Sequence, residues 1–514
     1  MDEKELTSLE KKETETKFSS RKEKVFQWLK DNRNLILLSI LVFAFAIRMY
    51  YFFMTTSQPL WWDEAEYMLK AKNIAFGTPD TGWWYGRPIL FPVISALFLK
   101  IGLGEIGLRF LWVLLSVANV FLVYYVAKSL FNKRVGLISA AIISVSYIDL
   151  FYTFRLLVNL PEIFFVLLAY SFFVKYEFNK GSNKFVWAII PILLIGALIR
   201  FTIGIALIIL LIYLLITKGI KLFKEKNWYI SFLLGVLCFL PYGIYSWIKY
   251  GSPLYVILSV LVGSTGQRSA IDTPFKIFMD YVKYLPAYTH WVLFIFFIVG
   301  LVFILFNLIF LFDLLKKDDT IKRNLFLILA LVIPLIYFGF FVNHFEDRYL
   351  SMALPIMFIL IAKGLDLFYE QIKKYSHYTL AMIIILGILL FGVYNMAIHS
   401  NAIIKDKINS YEDLRNVGLW IKENSSPNDA IVSAGMPEIT YYSERSTFKH
   451  ADNLSDQRAL IKEKNAKYII LTNWERSPDW TYQFFSNQSE FTPVYQSVNQ
   501  NGQQTYAIVF SAIN

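Results

Sequence analysis

Cysteine and charged residues are both scarce in this chain of 514 residues. It has one cysteine, Cys238, so no disulfide can form within the chain, and cysteine usage does not reveal the redox compartment. Charged residues make up 17% of the chain and hydrophobic residues 56%, whereas soluble domains have roughly 25% and 45–50%. This composition argues against an ordinary soluble protein.

Common nucleotide-binding and hydrolase motifs are also missing. The sequence has no P-loop, no dinucleotide-binding motif of the Rossmann type, no G-x-S-x-G and no zincin motif, so an ATP- or NAD-driven activity is not expected. The net charge is +11, but the lysines lie between apolar runs and form no separate basic domain. Membrane topology explains them better than nucleic acid, which is not an expected partner.

The apolar residues occur in runs of about 17–25 residues, the length of helix that crosses a bilayer. The first run follows a charged tail, 1–33, and is too long for a signal-peptide core, so it is predicted to be a retained anchor. The sequence therefore predicts a polytopic α-helical membrane protein with about eleven spans: 35–54, 108–128, 134–152, 160–177, 185–199, 201–217, 228–248, 291–314, 324–342, 349–364 and 378–397.

Basic residues predict the orientation of these spans. Short loops around Lys133, Lys218 and Lys373 are rich in lysine or arginine, and such loops face the cytoplasm. The N-terminus is then cytoplasmic and the loop 55–107 lies outside the cell membrane. This holds only if the apolar stretch 88–103 does not cross, and we interpret it as a juxtamembrane or re-entrant helix. The alternative is that it spans and that a later run is miscounted.

The composition changes after residue 397. Residues 400–514 are polar and contain two helix-like segments, 411–422 and 455–464, and three β-rich runs, 430–433, 468–472 and 506–511. They predict a small α/β domain, which an odd number of spans places outside the cell. The expected organisation is a cytoplasmic tail (1–33), a transmembrane domain (34–399) and this extracytoplasmic domain.

An acidic motif follows the first span: Trp61-Trp62-Asp63-Glu64-Ala65-Glu66-Tyr67. On a helix, Asp63, Glu66 and Tyr67 share one face. A carboxylate in a partly desolvated cleft can act as a general base or a metal ligand. From composition alone, a solvated acidic patch anchored by tryptophan is the simpler interpretation.

Five arginines are expected at the same ends of the spans as this motif: Arg87, Arg109, Arg155, Arg200 and Arg348. Arginine near the membrane is costly unless it is paired or snorkels to the interface. Snorkelling explains one or two of them. Together they suit an anionic lipid head group, because the planar guanidinium binds phosphate.

Two further polar clusters are expected on this face. Asn159 and Glu162 belong to the loop 155–162, where Glu162 either has a partner or caps the following helix. His344 and Glu346 could bind a divalent metal, but two scattered ligands are weak evidence. No cofactor is certain.

Taken together, these motifs resemble the GT-C class of polyprenyl-phosphate-sugar-dependent glycosyltransferases, and within it the protein O-mannosyltransferase and aminoarabinose-transferase group. The resemblance covers most of the chain and rests on these elements: Asp63-Glu64-x-x-Tyr67, Arg87-Pro88, Arg109 at the start of a span, the loop 155–162, and Asp347-Arg348-Tyr349.

The resemblance implies a mannosyltransferase-like enzyme of the cell membrane. It would move a sugar from a polyprenyl- or dolichyl-phosphate carrier to a protein, lipid or glycan hydroxyl outside. Asp63 would be the base and Glu64 would help to place the acceptor. The implied substrate-binding residues are Tyr67, Arg87, Arg109, Arg155, Asn159, Glu162, Arg200, Arg348 and Tyr349, with Arg87, Arg200 and Arg348 holding the phosphate.

Two residues depart from the family pattern. Asn159 stands where the family often has aspartate, and Ile89 follows Pro88 where a second proline is common. A transporter or flippase for a lipid-linked or anionic substrate is the alternative, but it should place ionisable residues near the middle of spans. A non-catalytic assembly or receptor protein would leave the acidic motif and the arginines without a purpose.

Overall fold

The computed structural model describes residues 27–84, 86–179, 181–255, 273–315, 318–487, 491–498 and 505–512. Most of the predicted tail 1–33 lies outside this part. The helices, numbered in chain order, are α1 Asn32–Thr55, α2 Trp62–Phe76, α3 Leu90–Lys100, α4 Gly104–Leu130, α5 Lys133–Val145, α6 Tyr147–Tyr152, α7 Asn159–Glu177, α8 Lys184–Ala197, α9 Gly204–Lys218, α10 Lys226–Tyr250, α11 Pro274–Tyr284, α12 Trp291–Phe310, α13 Asp319–Phe341, α14 Leu354–Tyr375, α15 Tyr378–Lys407, α16 Glu412–Asn424, α17 Met436–Ser443, α18 Leu454–Lys464 and α19 Asp479–Asn487.

Helices of the first four-fifths of the chain form the membrane part. Within the described residues, seven helical segments are long and apolar enough to cross a bilayer: Asn32–Thr55, Gly104–Leu130, Phe201–Lys224, Lys226–Tyr250, Trp291–Phe310, Asp319–Phe341 and Tyr378–Asn424. The protein is therefore a multi-pass membrane protein, as predicted. The other four expected spans coincide with helices that are shorter, broken or more polar, so the count of eleven stays a prediction.

Two apolar stretches differ in kind from the long spans. The stretch 88–103 contains only α3, which at 11 residues is about 16 Å long, too short for a hydrocarbon core of about 30 Å. The predicted single span 134–152 is wrong as a continuous helix. Its chain turns at Ser146, whose backbone is extended (φ −60°, ψ 130°), and this separates α5 from α6.

Close helix contacts in the membrane part depend on small residues. A Cβ atom on Gly300 of α12 would lie 2.2 Å from the carbonyl oxygen of Leu360 in α14. A Cβ on Gly364 would lie 2.0 Å from the carbonyl oxygen of Phe296. Backbones can approach this closely only where side chains are absent, which is how many transmembrane helices pack.

The C-terminal part is an α/β domain, as predicted. Its strands are β1 Ala430–Ser433, β2 Thr447–Phe448, β3 Ala466–Thr472, β4 Phe491–Val498 and β5 Thr505–Ala512. They form one sheet in the order β2-β1-β3-β5-β4, in which β1 is parallel to β2 and β3, while β5 is antiparallel to β3 and β4. Apolar side chains of α16 and α17 cover one face, and those of α18 and α19 cover the other.

This domain packs directly on α2. The Tyr442 hydroxyl accepts a hydrogen bond of 2.9 Å from the Leu60 backbone N–H. Tyr441 donates to Glu105 over 2.7 Å, and Lys72 pairs with Glu444 over 3.0 Å. The helix α15, which leads into the domain, runs on to Lys407 and so extends past the predicted boundary at residue 399. The helix that carries the acidic motif is thus held between the two parts of the molecule.

Candidate active site

Helix α2 begins with the acidic motif, and Glu64 fixes this beginning. The Glu64 carboxylate accepts the Trp61 backbone N–H over 2.9 Å, which satisfies an N–H that the helix leaves unpaired. It also accepts the Leu156 N–H over 2.5 Å and pairs with Arg155 over 3.1 Å. Glu64 is fully buried. The structure therefore places it behind the helix, away from the cavities that Asp63 lines.

Asp63 lies on the open face of α2 and is held between two arginines. Its Oδ1 is 2.6 Å from Arg87 Nη2, and its Oδ2 is 2.7 Å from Arg348 Nη2. Glu66, one turn on, binds the other branch of the Arg87 guanidinium over 2.5 Å, and the Tyr67 ring lies 5.4 Å from it. Burial raises the pKa of Glu66, although Arg87 acts in the opposite direction. The predicted common face of Asp63, Glu66 and Tyr67 is therefore present.

A cavity of about 390 Å³ opens beside Asp63. Its lining brings together the motif of α2, residues 84 and 86–88, the start of α7, the turn before α9 and the loop before α14. The predicted site residues that line it are Asp63, Tyr67, Arg87, Asn159, Arg200, His344, Glu346, Arg348 and Tyr349. Three guanidinium groups from three separate parts of the sequence thus meet in one space.

Arg200 is positioned by a buried carboxylate. Its Nη1 lies 2.7 Å from Glu162, which is fully buried at the start of α7. Ser351 donates a hydrogen bond of 2.8 Å to the same carboxylate, and Thr202 donates another. Glu162 therefore has several partners, which settles the choice between pairing and capping in favour of pairing.

The loop before α14 completes the cavity. Glu346 accepts hydrogen bonds from His344 Nε2 and from Arg348 Nε. The Tyr349 hydroxyl lies 3.0 Å from the same His344 nitrogen. Burial would raise the pKa of Glu346, but these two partners outweigh it and lower the pKa to about 2. Asn159 donates to the Arg348 carbonyl over 3.0 Å. In the described part of the chain, no group of three or more side chains is arranged to hold a metal.

Arg109 and Arg155 do not reach the cavity. Both are fully buried. Arg109 donates to the carbonyl groups of Phe154 and Gln58. Arg155 donates to Pro59 over 3.0 Å and to Lys407 over 2.9 Å, and its guanidinium lies 3.8 Å from the Trp61 ring. Both arginines therefore connect chain segments behind the acidic motif.

A second cavity, of about 340 Å³, shares Asp63 with the first. Aromatic rings form much of its wall, and one of them, Tyr411, comes from the start of the C-terminal domain. Its lining residues are Trp61, Trp62, Asp63, Tyr152, Leu157, Glu346, Asp347, Arg348 and Tyr411. Asp63 therefore stands where two cavities of different lining meet.

One buried ion pair was not predicted from the sequence. Arg48 of α1 lies 2.6 Å from Asp149 of α6, and both are fully or almost fully buried. Arg48 also donates to Ser116 and to two backbone carbonyls, and Asp149 accepts from Ser116 and Asn119. The signal was one charge of each sign inside two apolar runs, which requires mutual pairing. The pair therefore connects α1 to α6 within the packed helices.

Two segments of the chain match known enzyme families. Residues 86–245 match the family described as dolichyl-phosphate-mannose-protein mannosyltransferase. Residues 285–430 match the Alg9-like mannosyltransferase family. The protein is a membrane glycosyltransferase of the GT-C class. The class and the type of enzyme predicted from the sequence are thereby confirmed.

Solved structures share the fold of this GT-C enzyme. The Archaeoglobus fulgidus oligosaccharyltransferase in its apo form has 14% identity and a TM-score of 0.63, with 85% of this chain and 69% of that chain covered. ArnT from Cupriavidus metallidurans bound to undecaprenyl phosphate has 12% identity and a TM-score of 0.63, with 93% and 97% covered. A search of curated protein sequences finds no match to the GT-C enzyme.

Proposed function

We propose that this enzyme transfers a sugar from a polyprenyl- or dolichyl-phosphate carrier to an acceptor hydroxyl on the extracytoplasmic side of the membrane. The observation that carries the proposal is the meeting of Arg87, Arg200 and Arg348 in one cavity, with Asp63 at its edge. Two similar folds were solved with the same kind of ligand: ArnT with undecaprenyl phosphate, and the archaeal oligosaccharyltransferase AglB with a dolichol-phosphate.

The three arginines suit the phosphate of such a carrier. A guanidinium has five N–H donors in a planar fork, which matches phosphate oxygens. The pairs with Asp63, Glu66, Glu162 and Glu346 hold each fork in place and leave further N–H groups for an anion. Since the departing phosphate gains negative charge during transfer, fixed cations around it lower the barrier.

Asp63 is the proposed base. In the structure it accepts bonds from Arg87 and Arg348. A bound phosphate competes for the same two guanidinium groups, and this frees carboxylate oxygens to accept the proton of an acceptor hydroxyl. General base catalysis of this type contributes about 10²–10⁴-fold. Because phosphate is already a stable leaving group, one base suffices for a single displacement that inverts the anomeric centre.

Glu64 and Arg155 have a positioning role in this proposal. Their buried pair anchors the first turn of α2 to the loop that precedes α7. The pair thus sets the position of Asp63 without touching the reacting atoms. This modifies the role that the family resemblance implies for Glu64.

The binding of undecaprenyl phosphate to the purified enzyme tests the phosphate site. We expect Arg200→Ala to weaken binding about 10-fold or more, as for the loss of a charged hydrogen bond. Arg200→Lys keeps the positive charge but loses the planar guanidinium donors, so it should retain only part of the wild-type affinity. Arg134→Ala is the matched control, because Arg134 pairs with Asp366 and does not line the cavity.

The transfer reaction needs a separate test. Mass spectrometry of glycoproteins and glycolipids from a deletion strain should reveal one missing sugar, and complementation with wild-type protein should restore it. Unchanged affinity in Arg200→Ala would remove Arg200 from the phosphate site. An unchanged set of glycoconjugates in the deletion strain would overturn the proposed transfer.

A further inference from the structure

A third cavity, of about 350 Å³, lies beyond the second one. It is bordered by the segment 284–291 that joins α11 to α12, by residues 395–399 of α15 and by Tyr147 of α6. Tyrosine and histidine side chains dominate its lining: Tyr147, Tyr284, Tyr288, His290 and His399. Of the described residues that line it, none is lysine, arginine, aspartate or glutamate.

Asp347 separates this cavity from the second one. The Tyr147 hydroxyl, in the third cavity, donates to Asp347 Oδ2 over 3.1 Å, and the Tyr288 hydroxyl donates to the Asp347 carbonyl over 2.6 Å. On the other side, Tyr152 donates to Oδ1 of the same carboxylate over 3.4 Å. Tyr152 and Asp347 both line the second cavity. One carboxylate and its tyrosine partners therefore form the wall between the two spaces.

The third cavity combines aromatic ring faces with a buried polar atom that has no hydrogen-bond partner. The rings of Tyr147 and Tyr288 are nearly parallel, at 7° and 6.2 Å, and His399 meets Tyr147 edge-on at 5.4 Å. Among the described residues, the buried Nδ1 of His290 has no hydrogen-bond partner. A buried polar atom without a partner requires an explanation, and a ligand or water supplies one.

The lining selects a class of ligand. A phosphate or carboxylate would need cations, and they line the first cavity and not this one. A primary ammonium would need carboxylates, which are also missing from the lining described. A quaternary ammonium can bind ring faces alone, but it would leave His290 Nδ1 without a partner. Rings with C–H faces and several hydroxyl groups satisfy aromatic walls and neutral hydrogen-bonding atoms together, since aromatic faces carry partial negative charge and C–H edges partial positive charge. Neutral sugars have this chemistry.

We propose that the third cavity is a second sugar-binding subsite of the acceptor, so that the acceptor is a neutral glycan of at least two rings. This inference rests on the proposed function. The terminal ring of the acceptor occupies the second cavity, with its reacting hydroxyl next to Asp63, the proposed general base. The next rings lie across Asp347 and on the tyrosine and histidine side chains of the third cavity.

The dependence of binding on glycan length tests this subsite. Purified enzyme is titrated with a panel of neutral trisaccharides (α-mannotriose, maltotriose, cellotriose and chitotriose) and with their monosaccharides. We expect at least one trisaccharide to bind about 10-fold more tightly than its monosaccharide. His399→Leu should reduce this advantage below about threefold, and Asn395→Ala should reduce it as well, since both residues line the cavity.

Tyr394→Leu is the matched control, because Tyr394 is on the same helix α15, is 67% exposed and does not line the cavity. It should leave the length advantage unchanged. Undecaprenyl phosphate affinity should stay at the wild-type value in all three variants, which shows that they are folded.

Three results would overturn the subsite: no trisaccharide bound, equal binding of trisaccharide and monosaccharide, or an advantage that survives both cavity substitutions. If the affinity for undecaprenyl phosphate still depends on Arg200 in that case, only the subsite proposal fails. Loss of the Arg200 dependence would instead mean that the proposed function has failed.

Discussion

Two sets of arginines lie close together in this protein and differ in their surroundings. Arg87, Arg200 and Arg348 line the first cavity with side chains that are 18%, 13% and 20% exposed. The interior set, Arg48, Arg109 and Arg155, is 0% exposed. The first set pairs with carboxylates, of which Glu162 is itself buried, but each of its guanidinium groups stays partly exposed. The second set is bound largely by backbone carbonyls and buried acids. The number of arginines near a site therefore does not measure its capacity for phosphate; the solvent access of each guanidinium does.

The sharpest test of this comparison is at Asp63, whose carboxylate pairs with two of the cavity arginines. Asp63→Asn should lower sugar transfer about 10²–10⁴-fold, because the amide cannot accept the acceptor's proton. The melting temperature of the purified variant should stay close to that of the wild type, since the side chain is 28% exposed. Turnover near the wild-type rate would remove Asp63 as the base.

Substitutions in the interior set of arginines should lower the stability of the fold and not the affinity for the carrier phosphate. Arg48→Ala leaves Asp149 buried without its cation, and the loss of one partner of a buried pair costs about 3–5 kcal/mol. Thermal unfolding in detergent measures the change. Lys373→Ala is the comparison, because Lys373 and its partner Glu370 are 48% and 51% exposed, so the loss of this pair should cost about 1 kcal/mol or less. Equal losses in the two variants would contradict the distinction.

Glu64→Gln distinguishes a positioning residue from a catalytic one. The amide keeps the shape but weakens the pair with Arg155 and the bonds to two backbone N–H groups. We expect a loss of about 1–3 kcal/mol in stability and a moderate fall in kcat with little change in KM for the donor. Loss of transfer at unchanged stability would instead place Glu64 in the reaction.

The smallest expected effect is a pH dependence at the cavity edge. The pKa of Glu346 is lowered to about 2 by its partners, against the opposing effect of burial. Its contribution to stability is therefore complete above the unfolded-state value of about 4.3 and is lost as the pH falls towards 2. The difference in melting temperature between wild type and Glu346→Gln should shrink between pH 6 and pH 3. A constant difference would show that the carboxylate charge contributes nothing.

Much of this arrangement could be predicted from the sequence. Apolar runs and short basic loops define the long helices, because hydrophobic length and charge act locally. Asp63, Glu66 and Tyr67 were placed on one face by helical periodicity alone. The β-rich runs 430–433, 468–472 and 506–511 also coincide with strands β1, β3 and β5.

The remainder depends on contacts between distant parts of the chain. Sequence position could not distinguish Arg155, which is fixed by Glu64, from Arg200, which is fixed by Glu162. Nor could it pair Arg48 with Asp149, which lie 101 residues apart. The turn at Ser146 carries no proline or glycine, so tertiary packing determines it and local propensity does not.

Tyr411 is held in the wall of the second cavity by residues that come much later in the chain. Its backbone has a positive φ of 70°, a conformation that costs about 1–3 kcal/mol outside glycine and persists only when the surroundings enforce it. They do so through Trp474, stacked at 4.9 Å, and through Glu475, which accepts its hydroxyl over 2.8 Å. Both residues are synthesised more than sixty positions after Tyr411. A ribosome-bound chain that already contains every residue of the first cavity therefore still lacks the two side chains that hold Tyr411 in the wall of the second cavity.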